Sequence, residues 1–94
     1  MEKLYLPARV PNEGARQLAQ WLLKVGVEAA SVSLRRSGVS LASLDRLLLG
    51  EVVPGERIAV AVALVTGGKI SRRLWRQKPI GWWFDSATDT RRAA

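Results

Sequence analysis

The chain has 94 residues, enough for one domain that buries its own core, since domains of 55–65 residues already fold alone. It has no cysteine and no histidine, which excludes disulfides, thiolate metal sites and every Ser-His or Cys-His nucleophile arrangement. Fifteen Lys+Arg face eight Asp+Glu, a formal net charge of +7, and a surplus of that size on so short a chain points to a polyanionic partner. Residues 1–68 carry net +2. Residues 69–94 carry net +5, from Lys69, Arg72, Arg73, Arg76, Lys78, Arg91 and Arg92 against Asp85 and Asp89.

Residues 1–14 contain Pro7 and Pro11 around the short apolar stretch Leu4-Tyr5-Leu6, so an extended arm or an edge strand is expected there. Asn12 suits a helix N-cap. From Ala15 the apolar residues Leu18, Trp21, Leu22 and Val25 recur at helical spacing, with Trp21 expected in the core, and Gly26 ends the helix. A second helix is expected from about Glu28 to Arg36, stopping at Ser37-Gly38. Ser40 then caps a third, Leu41 to Leu49, which Gly50 closes.

Pro54 suits the first turn of a fourth helix. Its body, Ile58 to Val65, alternates β-branched residues and taken alone reads as a strand. The preceding Pro-Gly-Glu and following Thr-Gly-Gly are helix start and stop signals, so the expectation is a fully buried helix of about three turns. At eight residues this is also the longest apolar run, far below the ~18 that span a bilayer. The opening Met1-Glu2-Lys3-Leu4-Tyr5 lacks the order of a signal peptide, and a cytoplasmic, nucleoid-associated protein without a membrane partner is expected. A basic helical turn begins near Ser71 and ends before Pro79. Ile80 to Phe84 reads as a strand or an anchoring segment, and the small, polar tail beyond as disordered.

The block Gly38 to Gly50 carries the functional argument. Gly38 permits a tight turn, Val39 points inward, Ser40 caps, and Leu44 and Leu47 clamp the third helix onto the second. The outer face then holds Ser40, Leu41, Ala42, Ser43, Asp45 and Arg46, free to enter a major groove. Arg46 can pair with guanine, the serines can bond bases or phosphates, and Leu41 and Ala42 offer methyl contact with thymine.

Gly-Val-Ser, a nine-residue helix, Gly, a link with Pro, an apolar helix, Thr-Gly-Gly and a basic segment with Trp together resemble the Cro-like helix-turn-helix repressors, above all the small YdaS-like prophage regulators. The resemblance spans about residues 15–78. It implies a mainly α, compact bundle of four to five helices, binding to double-stranded DNA, and homodimers on operators; the short extended terminal arms, residues 1–14 and 79–94, lie outside it. Two positions depart from the pattern. Leu34 stands where a small residue is usual and Ser37 where a large apolar one is, so irregular packing of the second helix is expected.

Arg35 and Arg36 would lie beside the phosphate backbone in this motif, although a C-terminal arginine pair also complements the helix dipole. Lys69, Arg72, Arg73 and Arg76 read as a phosphate clamp or as a solvated basic turn. Trp75 is expected to pack on the bundle. Leu48, Leu49, Trp82, Trp83 and Phe84 are candidates for a protein contact, a fold-back onto the core or a dimer formed through the two arms. The carboxylates are scattered, Gly67-Gly68 is not a phosphate-cradling motif, and neither a catalytic constellation, a metal site nor a cofactor is expected. Two other readings stand beside a sequence-specific regulator: a protein-interaction module on the same scaffold, and a nonspecific nucleic-acid binder working through 69–78.

Overall fold

A computed structural model describes residues 4–85. Four α-helices follow one another: α1 (Glu13–Val25), α2 (Val27–Arg36), α3 (Leu41–Leu49) and α4 (Glu56–Val65), then a 3-10 turn over Arg72–Arg76. There is no strand among the described residues, so the chain is the mainly α bundle expected.

The Asn12 side chain opens α1 by accepting a hydrogen bond from the Ala15 amide at 2.8 Å. The helix therefore begins at Glu13, two residues before the apolar stripe. That stripe is Ala15, Leu18, Ala19 and Leu22, all fully buried. Trp21 is only half-buried and Val25 is exposed, against the expectation for both. The two alanines let neighbouring elements approach closely, which draws α1's inward face away from the larger Trp21 and Val25.

Single-residue Gly26 separates α1 from α2; of the two departures from the resembled pattern, Leu34 lies inside the unbroken helix and is fully buried, and Ser37 is its C-cap. Gly38 follows with φ of +93°, a left-handed conformation in which a side chain is strained. Val39 then turns inward at 1% exposure and its amide bonds the Leu34 carbonyl at 2.9 Å. Ser40 caps α3 through its side chain, and Leu44, Leu47 and Leu48 are buried beneath it.

The expected complete burial of α4 is not observed. Ala59 and Val62 are buried, but Val60 is 36% and Leu64 76% exposed. The helix lies at the edge of the bundle against α2 and the 3-10 turn, and a helix packed on one side buries one stripe. Gly55 is its N-cap, so Pro54 precedes the first turn instead of occupying it. Thr66 finishes the helix. Its Oγ1 donates to the Val62 carbonyl at 2.8 Å and accepts from the Ile70 amide at 3.3 Å, which turns the chain back towards α1.

The two arms are parts of the same core. Trp75 (2% exposed) and Trp83 (1%) are the largest fully buried side chains. The Trp83 indole N–H donates to the Pro7 carbonyl at 2.8 Å, which ties the end of the described chain to its beginning, and Leu4 and Leu6 pack against the core. A buried ion pair secures the fold-back. Glu13 accepts from Arg16 Nε at 2.9 Å, from Gln17 at 2.9 Å and from the Ile80 amide at 2.9 Å. Arg16 donates onward to the Trp82 and Asp85 carbonyls, and Gln20 donates to the Trp83 carbonyl at 2.8 Å. Burial drives the Glu13 carboxyl upward, but the hydrogen bonds from Arg16, Gln17 and Ile80 and the Arg16 charge outweigh it and hold its pKa below the ordinary value. Leu4, Leu6 and Val10 before α1 and Trp83 after the 3-10 turn thus belong to the same core as the helices. The basic tail with Arg91 and Arg92 lies outside the described residues.

Candidate nucleic-acid interface

The α2–turn–α3 unit is held from inside by Leu34, Val39, Leu44 and Leu47, so the opposite face of α3 is fixed in orientation. On that face Ser40, Ala42, Asp45 and Arg46 are exposed, while Leu41 and Ser43 are half-buried. Arg46 has no carboxylate within salt-bridge distance among the described residues, so its guanidinium keeps its donors for an outside acceptor. Ser40 is engaged: its Oγ accepts from the Ser43 amide at 3.1 Å and lies 3.1 Å from the Ser43 hydroxyl. The two serines therefore serve the cap first, and Leu41 is turned partly into the molecule.

Arg35 and Arg36 are exposed at the end of α2, where they also complement the helix dipole. Arg57 joins this region without having been singled out in the sequence. It stands at the second position of α4, and its Nη1 reaches the Gly38 carbonyl at 3.5 Å. Nothing local in the sequence connects positions 38 and 57. Only the return of the chain after Gly50 brings the start of α4 to the α2–α3 turn.

Of the four cations read as a phosphate clamp or as a solvated basic turn, Lys69 lines one groove and Arg72 and Arg76 another. Lys69 lies beside Lys24 of α1, in a groove shared with Gln17, Gln20 and Trp21. The contact with the Lys24 amine and its like charge hold the Lys69 pKa below the ordinary lysine value. Arg72 and Arg76 instead line a separate cleft with residues 53–56, and Arg72 pairs there with the exposed Glu56. Arg73 is exposed and lines neither.

Of the residues considered for a protein contact, Leu48 and Trp83 are buried and present no surface. The reason is the tight packing under α3 for Leu48 and the fold-back onto Pro7 for Trp83. Leu49, Trp82 and Phe84 remain exposed, at 40%, 53% and 52%, with the two aromatic rings edge-to-face at 5.3 Å. Of the alternatives for the arms, the fold-back onto the core is the one Trp83, Leu4 and Leu6 adopt. No helix among the described residues is long and apolar enough to cross a membrane. No family model, no curated protein and no solved structure matches the chain.

Proposed function

We propose that the protein is a small DNA-binding transcriptional regulator that places α3 in the major groove of a duplex operator. One observation carries the reading: a short helix, oriented by four buried apolar residues, presents the unpaired Arg46 beside Ala42, with Arg35, Arg36 and Arg57 exposed around the same turn. An arginine on such a face reads guanine by two parallel hydrogen bonds, and the surrounding cations bind phosphate without regard to sequence. The charge of +7 supplies the long-range attraction. One helix of this kind reads only a few base pairs, so the reading includes two copies on two half-sites. Val60 and Leu64 of α4 are among the apolar side chains left exposed, and the reading assigns the pairing to them. The regulator would work in the cytoplasm, on the nucleoid.

The test is selection of a preferred site from a random duplex library, followed by binding of the parent and Arg46→Ala to that site and to random duplex. Arg46→Ala should lose about 1–3 kcal/mol on the selected site and much less on random DNA. Equal losses on both, or no sequence enrichment, would refute base reading by α3. The exposed Trp82–Phe84 pair supports the second reading, a protein-interaction module. That reading predicts that Trp82→Ala abolishes a partner contact and leaves DNA binding intact.

A further inference from the structure

A groove of about 310 Å³ opens between α1 and the chain reversal that follows α4. Gln20, Trp21 and Lys24 line it from α1, Lys69 and Ile70 from the reversal, and Ile80 from the C-terminal segment. Ile70 is buried, Trp21 is half-buried and Ile80 is 49% exposed, so the groove has an apolar lining that water still reaches. Its volume falls at the lower end of the range of small-molecule sites, which pair apolar walls with a few converging polar groups.

The groups that converge here are two cations. The Lys24 and Lys69 amines meet in the groove, and that contact, with the Lys24 charge, holds the Lys69 pKa below the ordinary lysine value. Exposed lysines ordinarily turn apart, because like charges repel and a flexible four-carbon stem lets them separate. Among the described residues no carboxylate lies within salt-bridge distance of either amine. The acids of the adjoining segments are engaged elsewhere, Glu13 by Arg16 and Gln17 and the Asp85 carboxylate by the Trp82 amide. An anion between the two amines turns their repulsion into two attractions.

We propose that this groove binds a small organic anion, a carboxylate on a flat apolar body, with its charge between Lys24 and Lys69 and its body against Trp21 and Ile70. The body follows from the lining: an inorganic ion would leave Trp21, Ile70 and Ile80 facing water, whereas a flat ring covers them and stacks on the indole. No residue of α3 lines the groove, nor does Arg35, Arg36 or Arg57. The site is therefore distinct from the proposed DNA-reading surface, and the inference stands whether or not the chain binds DNA.

The full chain, labelled with nitrogen-15 and carbon-13, would be titrated with naphthoate at constant ionic strength, following the Trp21 indole N–H (assigned with Trp21→Phe) and the ε-carbons of Lys24 and Lys69. These signals should move together and saturate. Acetate has the charge without the ring and naphthamide the ring without the charge, and each should bind about tenfold or more weaker. Lys24→Gln and Lys69→Gln change exposed side chains and should each weaken naphthoate about tenfold, as loss of a hydrogen bond between charged groups does. Saturating naphthoate should raise the Lys69 pKa, because the anion favours the charged amine, so affinity should fall as pH rises through that titration. Lys24→Gln alone should raise it too, by removing the like charge. Naphthamide binding as tightly as naphthoate, or equal shifts from sodium chloride, overturns the inference. Absence of a saturable shift, or naphthoate binding unaltered in both lysine variants, also overturns it. A short duplex that displaces naphthoate and loses affinity in the same two variants assigns the groove to DNA phosphates and overturns it as well.

Discussion

Gly14→Ala is a substitution that helix propensity recommends and the structure forbids. Gly14 is the second residue of α1, and alanine there gains at most about 1 kcal/mol of helix propensity. A Cβ built on Gly14, however, would lie 2.4, 2.6 and 2.9 Å from three ring atoms of Trp75. Carbon contacts settle at ~3.5–4.0 Å, so the ring would have to retreat by about 1 Å. Trp75 is 2% exposed, so the ring cannot move that far without disturbing the side chains packed on it. Overpacking costs about 1–3 kcal/mol, and contacts this short belong to the upper part of that range, about 2–3 kcal/mol, which leaves a net loss of ~1–2 kcal/mol after the propensity gain. For a domain of this size each kcal/mol lowers the melting temperature by roughly 4–8 °C, so a drop of roughly 4–16 °C is expected by circular dichroism. The same substitution in a Trp75→Leu background should cost much less, because the clashing ring is gone. A Gly14→Ala protein that melts at or above the parent, or an equal cost in both backgrounds, would refute the close approach of α1 and the 3-10 turn.

Leu44→Ala or Leu47→Ala should destabilise the fold by about 2–5 kcal/mol in urea unfolding, since both side chains are 1% exposed in one core; an unchanged midpoint would mean that α3 has another face inward. Ser40→Ala should cost ~0.5–2 kcal/mol by removing the cap on Ser43, and Ser40→Asp, which caps as well, should restore stability while adding a negative charge that weakens DNA binding at low salt. Glu13 has a pKa below its ordinary value in the folded chain, so its carboxylate contributes stability that is present above the unfolded-state value and is lost as pH falls through the folded one. The melting temperature of the parent should therefore drop on acidification below the ordinary carboxylate range, and Glu13→Gln should be less stable at neutral pH with a flatter acid limb; parallel acid limbs would remove Glu13 from the fold-back.

What could be read from the sequence was what local chemistry decides. The limits of α3 were legible because Ser40 and Gly50 act on the backbone of their own turns, through a side-chain acceptor and a left-handed residue. The helical state of Ile58–Val65 was legible for the same reason, from its flanks and against its β-branched composition. Which face of α4 is buried was not, since Val60, Val62 and Leu64 are chemically alike and only the position of the helix at the bundle's edge exposes two of the three. On α1, Ala15 and Ala19 outrank Trp21 as core residues because small side chains set how closely the helices approach, which depends on their neighbours.

The candidate interface divides along the same line. Arg46 falls on the outer face of α3 by helical spacing alone, so its exposure followed from the pattern. The separation of Lys69 from Arg72 and Arg76 did not, because three residues of chain at a reversal carry a side chain from one groove to another. Glu13 and Arg16 show the limit most clearly. An acidic and a basic residue three apart at a helix start ordinarily form a solvated pair that contributes little. Here each is about 2% exposed, because Ile80 and the carbonyls of Trp82 and Asp85 close over them. A charge pair that would be superfluous on an isolated helix thus becomes the anchor of a segment some seventy residues away. That anchoring keeps Trp83 inside the molecule, so the aromatics of the C-terminal segment that remain for any partner are Trp82 and Phe84.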